Sequence, residues 1–570
     1  MDGGEASREA RDLLIEGVVL YPELAGAGVL DRPIEDGAIW IEAGTIRAVG
    51  PRAELEALVG AGVARLDGQG ALAVPGLVDS HIHLGAWAMG QAQPDLSECR
   101  SVADVVAHLE RHARGLGPGR WLMARGLSPH RMEGDPLEDL GWLDAAFPDR
   151  PVVVWTRDLH SVLLNRAARL AVGIGPSFDG WPPGSVAPRD PATGDWVGVF
   201  RENAVGVIVE SLPRPSLTQW ADAIEASQAR LWRLGLVGAH TPEGPEILAA
   251  LSLLHQRGRL GLRVRFMPPA GMLGTLRAVG LRQGFGDDWL RLGPVKAFAD
   301  GSLGSLTAAL ESPYSGLETP EYRGELLLDR SAVEALAVEA ARTGFALAIH
   351  AIGDRACREV LDALEASRAD GGAVEGLPHR IEHAQLLTPA DAERMGRLGV
   401  VASMQPIHLL SDRRPAERYW QGRTDGAYAT RWLVQAGAVL AFGSDAPVED
   451  PDPLRGVWAA VTRRPWPSGD PDDETLDAWH PEHGLSVVEA LRAYTHGAAW
   501  AVGEAARQGG LKPGMPGDVV LLSPDPVGLE RGLPPGGWTS DDERAAAARE
   551  RLARVRVLAT VVGGRVVHTA

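Results

Sequence analysis

The fold is decided by the segment Leu72-Ala-Val-Pro-Gly-Leu-Val-Asp-Ser-His-Ile-His83, an apolar run that ends in two histidines. Further apolar runs follow it, and most of them are separated by helical patterns such as Arg330–Arg342, Arg355–Arg368 and Pro389–Leu398. The strand candidates are Leu72–Val78, Val237–Thr241, Leu262–Met267, Val295–Ala299, Ala346–His350, Arg380–Ala384, Val400–Met404 and Val439–Gly443. Strands that alternate with helices in this way predict an α/β fold, a (β/α)8 TIM-type barrel over residues 71–505.

The first two strand candidates lie too far apart for an ordinary crossover. We therefore predict a large insertion after strand 1, residues 86–232, with its own strands at Trp121–Gly126 and Val152–Arg157. The two ends of the chain also show strand patterns, and Gly563-Gly564 is a hairpin signal. Residues 1–70 and 506–570 are therefore expected to form one small β-sandwich domain.

Composition and charge exclude several classes of protein. The 56 basic and 75 acidic residues give a net charge of −19, which argues against a general binder of nucleic acid or anionic membranes. The apolar runs are too short to span a bilayer, and the N-terminus lacks the apolar core of a signal peptide. Two cysteines, Cys99 and Cys357, cannot build a disulfide framework or a Cys-rich zinc site. We expect a cytoplasmic protein.

Residues with metal-binding side chains follow the predicted strands. His81 and His83, two apart on an extended chain, face the same side and can hold one metal together. The other candidates end strands four, five, six and eight: Lys296, His350, His383 and Asp445. Since the carboxyl ends of barrel strands meet at one face, all six side chains are expected to converge there. Imidazole and carboxylate ligands suit zinc or a similar divalent ion.

Lys296 is notable because only two of the 56 basic residues are lysines, Lys296 and Lys512. A lysine that persists against such a bias can serve chemistry that arginine cannot, because arginine does not deprotonate in proteins. Neither lysine lies in a Gly-Lys-Ser/Thr context, so a P-loop is excluded. Serine-hydrolase elbows and the His-Glu-x-x-His motif are also missing from the sequence.

Several segments together resemble the amidohydrolase superfamily, in particular its YtcJ-like branch (amidohydrolase family 3), which includes N-substituted formamide deformylases. The matching segments are Val74-Pro-Gly-Leu-Val-Asp-Ser-His-Ile-His, Val295-Lys-Ala-Phe-Ala-Asp-Gly, Ile349-His-Ala-Ile-Gly-Asp, Arg380-Ile-Glu-His-Ala-Gln and Phe442-Gly-Ser-Asp-Ala-Pro. The resemblance covers nearly the whole chain. It implies the same barrel and a C-terminal sheet domain.

The resemblance also implies roles for the six residues. His81, His83 and Asp445 would bind the more buried of two metals, zinc in the first place, and His350 and His383 the more exposed one. Lys296, carboxylated by CO2, would bridge them. A metal-bound hydroxide would attack, and Asp445 would be the catalytic residue that passes its proton to the leaving nitrogen.

The implied function is a metal-dependent amidohydrolase acting on a non-peptide C–N bond of a small molecule, an amide or an N-substituted formamide. A cyclic amidase or a deaminase of the same superfamily is the alternative, although deaminases there commonly lack the bridging lysine. A non-catalytic barrel that serves as an interaction protein is disfavoured, because a residue of the expected type is present at all six ligand positions. No nucleic-acid or membrane partner is expected, and a homodimer is the default assembly.

Three residues depart from the branch's pattern or extend it, and they are candidate substrate contacts. His160 stands in Asp158-Leu-His-Ser161, where the branch often has Asp-Gly-His, and could instead be an ordinary loop histidine. His240 could line the pocket or pack in the core. Asp300 could orient metal ligands or form a turn with Gly301.

Overall fold

The computed structural model describes residues 12–570 except positions 27, 61, 92, 118, 130, 131, 134, 135, 139, 157–160, 183, 184, 318, 468–475, 532, 534–536 and 541. Within these residues the strands, numbered β1 to β22 along the chain, are Leu13–Leu20, Ile34–Glu42, Thr45–Pro51, Ala64–Asp67, Leu72–Pro75, Leu77–Asp79, Leu122–Leu127, Val152–Thr156, Ser161–Leu164, Ser185–Val186, Val199–Glu202, Leu236–Thr241, Arg263–Phe266, Leu290–Leu292, Val295–Phe298, Leu347–Ala351, Arg380–His383, Val401–Met404, Leu440–Phe442, Val519–Ser523, Arg556–Val562 and Arg565–Thr569. The α-helices, α1 to α20, are Pro22–Ala25, Arg52–Leu58, Leu84–Gln91, Val102–Ala113, Gly141–Ala146, Arg166–Ala171, Asn203–Ser211, Leu217–Arg233, Pro245–Gln256, Leu273–Ala278, Arg330–Thr343, Asp354–Ser367, Pro389–Leu398, His408–Tyr419, Thr430–Gln435, Pro453–Thr462, Val487–Ala493, His496–Trp500, Pro526–Glu530 and Glu543–Leu552.

The chain divides into two compact units. One contains the residues up to Leu84 and from Glu225 onward, and the other is Gly85–Ile224. The second unit overlaps the predicted insertion, 86–232. It holds a five-stranded sheet with the strand order β10-β11-β9-β8-β7. Its core packs side chains such as Leu109, Leu122 and Val154.

In the first unit the two ends of the chain pair with each other. One eight-stranded sheet has the order β22-β21-β20-β5-β1-β2-β3, with β4 on β1. Strand β20 runs antiparallel to β5 and joins the C-terminal strands to the N-terminal ones. Buried Ile15, Ile39, Val519 and Val561 are among the side chains of its core. The predicted pairing of the two ends is therefore present as one sheet.

Two parallel sheets carry the predicted strand–helix alternation. One has the order β14-β13-β12-β6, and the other runs in sequence order from β15 to β19. The helices between the strands begin and end where the sequence has caps: Asp329 accepts from the Ala332 N–H at the start of α11, and Gly344, in the left-handed region, ends it. The observed α/β fold is mixed, with both parallel and antiparallel sheets.

Two of the predicted strands are wrong in detail. The first, Leu72–Val78, is two strands in two different sheets, because Gly76 breaks it. The Gly76 N–H donates to Asp518 O at 2.9 Å, and a Cβ at this position would lie 2.4 Å from a methyl of Val237. The fourth is preceded by an unpredicted strand, β14, and Gly293-Pro294 interrupts the chain between β14 and β15 because proline has no N–H for the ladder.

None of the helices in the described ranges combines the length and the apolar character that a bilayer crossing requires.

Candidate metal centre

One buried carboxylate ties together the two segments that carry the predicted first site. Asp79, the last residue of β6, accepts the backbone N–H groups of His81 at 3.0 Å and Ser444 at 3.1 Å. Its second oxygen accepts the Ser444 hydroxyl at 2.5 Å. The Asp445 N–H in turn donates to His81 O at 2.7 Å. The ends of β6 and β19 are therefore held side by side.

His81, His83 and Asp445 form a cluster with the geometry of a metal site. Asp445 Oδ1 lies 3.2 Å from His83 Nε2 and 3.5 Å from His81 Nε2. Their ligand atoms all lie within 4.8 Å of one another, and within the described residues no other group of three His, Cys, Asp or Glu side chains meets that condition. His81 and Asp445 are buried, whereas His83 is partly open to solvent.

The next two predicted ligands lie beside this cluster. The His383 ring is 5.1 Å from the His81 ring and 4.5 Å from the His350 ring, measured between centroids. His350 Nε2–H donates to Gly301 O at 2.9 Å, so that Nδ1 carries the free lone pair. Burial, together with neighbouring positive charge, holds the pKa of His383 well below its ordinary value. Burial also lowers the pKa of His350 to about 4, so both rings are neutral at pH 7 and able to bind a metal.

Lys296 lies at the same end of the sheet and is 3% exposed. Its Nζ has no hydrogen-bond partner among the described residues. Burial lowers the pKa of Lys296 to about 8, although the charges of Glu382 and Asp445 oppose this shift. Only a neutral amine can add to CO2, and the lowered pKa gives Lys296 a larger neutral fraction at pH 7 than an exposed lysine has.

Glu382 is a site residue that the sequence analysis missed. Its Oε2 lies 2.5 Å from His81 Nδ1 and accepts the Ser403 hydroxyl at 2.7 Å and Arg380 Nη2 at 3.0 Å. All four side chains are buried. A carboxylate facing Nδ1 keeps the proton on that nitrogen, so His81 Nε2 directs its lone pair at Asp445.

The ligand atoms of this cluster are placed so that they can hold a cation. Burial and the positive charge of Lys296 lower the pKa of His81 to about 4, so its ring is neutral. Burial alone would raise the pKa of Asp445, but the neighbouring imidazoles hold it well below its ordinary value. A lone pair of His81 therefore faces an ionised carboxylate oxygen at 3.5 Å. His83 Nε2 lies 3.2 Å from the same oxygen, and two nitrogens with one oxygen are a ligand set that fits a divalent metal such as zinc.

Backbone conformation explains why Glu382 and His383, although consecutive, both reach His81. Side chains of consecutive strand residues normally point to opposite faces. His383 has φ = 73°, in the left-handed region that non-glycine residues rarely adopt, and Asp445 has φ = 56°. Strained backbone of this kind is concentrated at functional sites. Strand alternation in Arg380-Ile-Glu-His could have indicated that positions 380 and 382 share a face, but not the turn at His383.

The candidate substrate contacts are placed differently. Asp300 is buried and accepts the N–H groups of Ala309, Ile352 and Gly353, and it lies 3.6 Å from His350 Nε2. This placement favours a role for Asp300 in orienting the candidate metal ligand His350. His240 is buried, with Nδ1 3.1 Å from Arg380 Nη1, which favours packing. His160 lies outside the described residues.

Comparison with known proteins gives a consistent result. The sequence model described as the amidohydrolase family matches residues 66–568. The chain is 28% identical over 515 residues to the putative amidohydrolase YtcJ of Bacillus subtilis, covering 88% of this chain and 94% of that protein. It is 27% identical over 521 residues to N-substituted formamide deformylase of Arthrobacter pascens, covering 87% and 91%.

A solved structure has the same fold. An uncharacterized metal-dependent hydrolase from Pyrococcus furiosus superposes with a TM-score of 0.73 at 27% identity. The match covers 90% of this chain and 100% of that one. The shared fold therefore extends over the whole of that solved chain.

Proposed function

Because the chain belongs to the amidohydrolase family, we propose that it is a metal-dependent hydrolase that cleaves a non-peptide C–N bond, that of an amide or an N-substituted formamide. One observation carries the proposal. The proton of His81 is on Nδ1, which faces Glu382, so the lone pair of Nε2 faces the Asp445 carboxylate without a hydrogen bond between them. The similarity to N-substituted formamide deformylase supports the bond type.

The residues divide into two ligand groups joined by a lysine. His81, His83 and Asp445 would hold one divalent ion, zinc in the first place, and His350 and His383 a second. Lys296 would bridge them as a carbamate, formed when the neutral Nζ adds to CO2 with loss of one proton. Arginine could not replace it, because its guanidinium stays protonated.

When bound, the metals would polarise the scissile carbonyl and lower the pKa of the attacking water. The chain's own residues supply the proton transfer. Asp445 Oδ1 is turned to the two imidazoles, which leaves Oδ2 to accept the water proton and deliver it to the departing nitrogen. Glu382 keeps His81 in the tautomer that binds metal, and Gly301 O does the same for His350.

We further propose that the two parallel sheets are parts of one (β/α)8 barrel. A hydrogen bond from the Ser80 N–H to Phe442 O, 2.9 Å, joins the ends of β6 and β19. On the other side a parallel bridge between Pro269 and Lys296 links the two sheets. In this proposal β14 and β15 count as one interrupted strand. The terminal sheet, 1–70 with 506–570, would be the β-sandwich domain.

Metal analysis and a hydrolysis screen test the function. Protein loaded with zinc and bicarbonate is expected to hold two metals per chain and to release amine from N-formyl or N-acyl amines. Dipeptides, cyclic amides and amino-substituted heterocycles serve as comparison substrates for peptidase, cyclic amidase and deaminase activity. Asp445→Asn should abolish release of amine. Less than one metal per chain under these conditions, together with no hydrolysis, would refute the proposal.

A further inference from the structure

An aromatic side chain lies exposed at the candidate metal centre. In β15 the residues Val295, Lys296 and Ala297 are buried, but Phe298 is 48% exposed. Side chains two apart in a strand share a face, so Phe298 lies on the same face as Lys296 and one step nearer the strand's carboxyl end. The ring therefore stands at the open side of the proposed site.

The contacts of Phe298 confirm this position. Lys296 Nζ is 4.9 Å from the centroid of the Phe298 ring. The His350 ring, tilted against it, is 5.4 Å away between centroids. Phe298 thus contacts one candidate bridging residue and one candidate ligand, and about half of its surface remains free.

Two further apolar side chains are exposed on segments that adjoin the ligands. Val448 is 55% exposed, and its N–H donates to Asp445 O at 3.0 Å. Leu327 is 57% exposed, and its N–H donates to Ala299 O at 2.7 Å, one residue beyond Phe298. We call these exposed side chains the apolar rim: Phe298, which contacts the candidate ligands, and Leu327 and Val448, which lie on adjoining segments.

Single exposed apolar residues are ordinary on protein surfaces, but apolar surface beside a polar reaction centre is typical of a small-molecule site. There the polar groups position the reacting bond, and the apolar wall takes up the rest of the ligand. Covering the rim with an apolar group would remove it from water and stabilise the complex.

We propose that the apolar rim binds an alkyl or aryl group attached next to the scissile C–N bond. The substrates would then be amides with a sizeable apolar substituent, rather than small or charged amides. This inference rests on the proposed function, because it places the reacting carbonyl at the metal ligands. The apolar group could be on the nitrogen or on the acyl carbon, and the hydrolysis experiment below tests a substrate of each kind.

Binding of ketones tests the rim without turnover, because a ketone has the carbonyl but no C–N bond. Isothermal titration calorimetry would compare 2-nonanone with 2-butanone on the metal-loaded protein. Wild type should bind 2-nonanone more tightly. Phe298→Ala should weaken 2-nonanone binding about tenfold and change 2-butanone binding by less than about twofold. Phe298→Leu, which keeps an apolar side chain, should restore most of the affinity.

Phe285→Ala is the matched control, since Phe285 is 62% exposed and lies outside the rim. It should leave both affinities unchanged, and metal content should be the same in all variants. Equal affinities of the two ketones for wild type, or equal effects of Phe298→Ala and Phe285→Ala, would overturn the inference.

Hydrolysis separates this inference from the proposed function. N-hexylacetamide carries the apolar group on nitrogen and N-methylheptanamide carries it on the acyl carbon. The amide that is hydrolysed faster shows on which side of the C–N bond the rim binds the apolar group. If neither amide is hydrolysed while 2-nonanone binding still depends on Phe298, the proposed function is refuted and the inference that the rim binds an apolar group is supported. If both amides are hydrolysed no faster than N-methylacetamide and the two ketones bind equally, the inference about the rim is refuted and the proposed function is not.

Discussion

His81 Nδ1 lies 2.5 Å from Glu382 Oε2, and both side chains are fully buried. Glu382 is itself held by Arg380, whose Nε lies 2.5 Å from Oε1. One carboxylate therefore fixes the tautomer of a candidate metal ligand and neutralises a buried guanidinium. Loss of its charge should affect metal binding and stability together.

We expect Glu382→Gln to weaken zinc binding about 10- to 100-fold, because the neutral amide holds the proton on His81 Nδ1 less strongly than the carboxylate does. Competition with a chelating dye measures this affinity. The variant should also unfold more readily, since Arg380 stays buried without its counter-charge. Ser403→Ala removes one hydrogen bond to the same carboxylate and should change zinc affinity only a few-fold. Equal effects of the two variants would contradict the role given to Glu382.

The two lysines offer a matched pair for the carbamate. We expect Lys296→Arg to lose the second metal and nearly all activity, because a guanidinium cannot add to CO2. Lys512→Arg, on a half-buried lysine of the terminal sheet domain, should keep metal content and activity. Metal analysis and amine release measure both variants. Two metals per chain in Lys296→Arg would exclude the carbamate.

The sequence predicted most strands of the two parallel sheets because their apolar runs and helical intervals are local signals. It predicted the candidate metal ligands because each lies at or near the carboxyl end of a predicted strand. It could not predict the break at Gly76, which depends on the distant Asp518. Nor could it predict Glu382, whose partner His81 is 301 residues away. It also could not predict the left-handed backbone at His383, because that conformation is usually signalled by glycine and the residue here is histidine.

Acid should destabilise the protein through His379. Burial lowers the pKa of His379 to about 4, against an ordinary value of 6.5. Its Nδ1 accepts the Leu347 N–H at 3.0 Å, and its Nε2–H donates to Gly372 O at 2.8 Å, so the folded protein holds the neutral ring. Between pH 6.5 and 4 the unfolded chain binds more protons, and stability falls as the pH falls.

We expect His379 to contribute a loss of about 2 kcal/mol in the free energy of unfolding between pH 7 and 5. His379→Asn keeps an acceptor for the Leu347 N–H but does not titrate. Its stability should therefore depend less on pH than that of wild type, as measured by urea unfolding at both values. Parallel pH dependences would show that His379 is not protonated on unfolding.

Glu504 should matter more to stability than any exposed acidic residue. Its Oε2 lies 2.6 Å from Arg265 Nη2, its Oε1 lies 3.5 Å from Arg291 Nη1, and all three side chains are buried. Glu504→Gln leaves buried Arg265 without a counter-charge and leaves Arg291 only the exposed Asp288 at 3.4 Å, so we expect a loss of about 3–5 kcal/mol in the free energy of unfolding. Glu417→Gln, in an exposed pair with Arg413 at 3.0 Å, should cost less than about 1 kcal/mol. Urea unfolding of both variants measures the difference, and similar losses would mean that Glu504 is solvated in the folded protein.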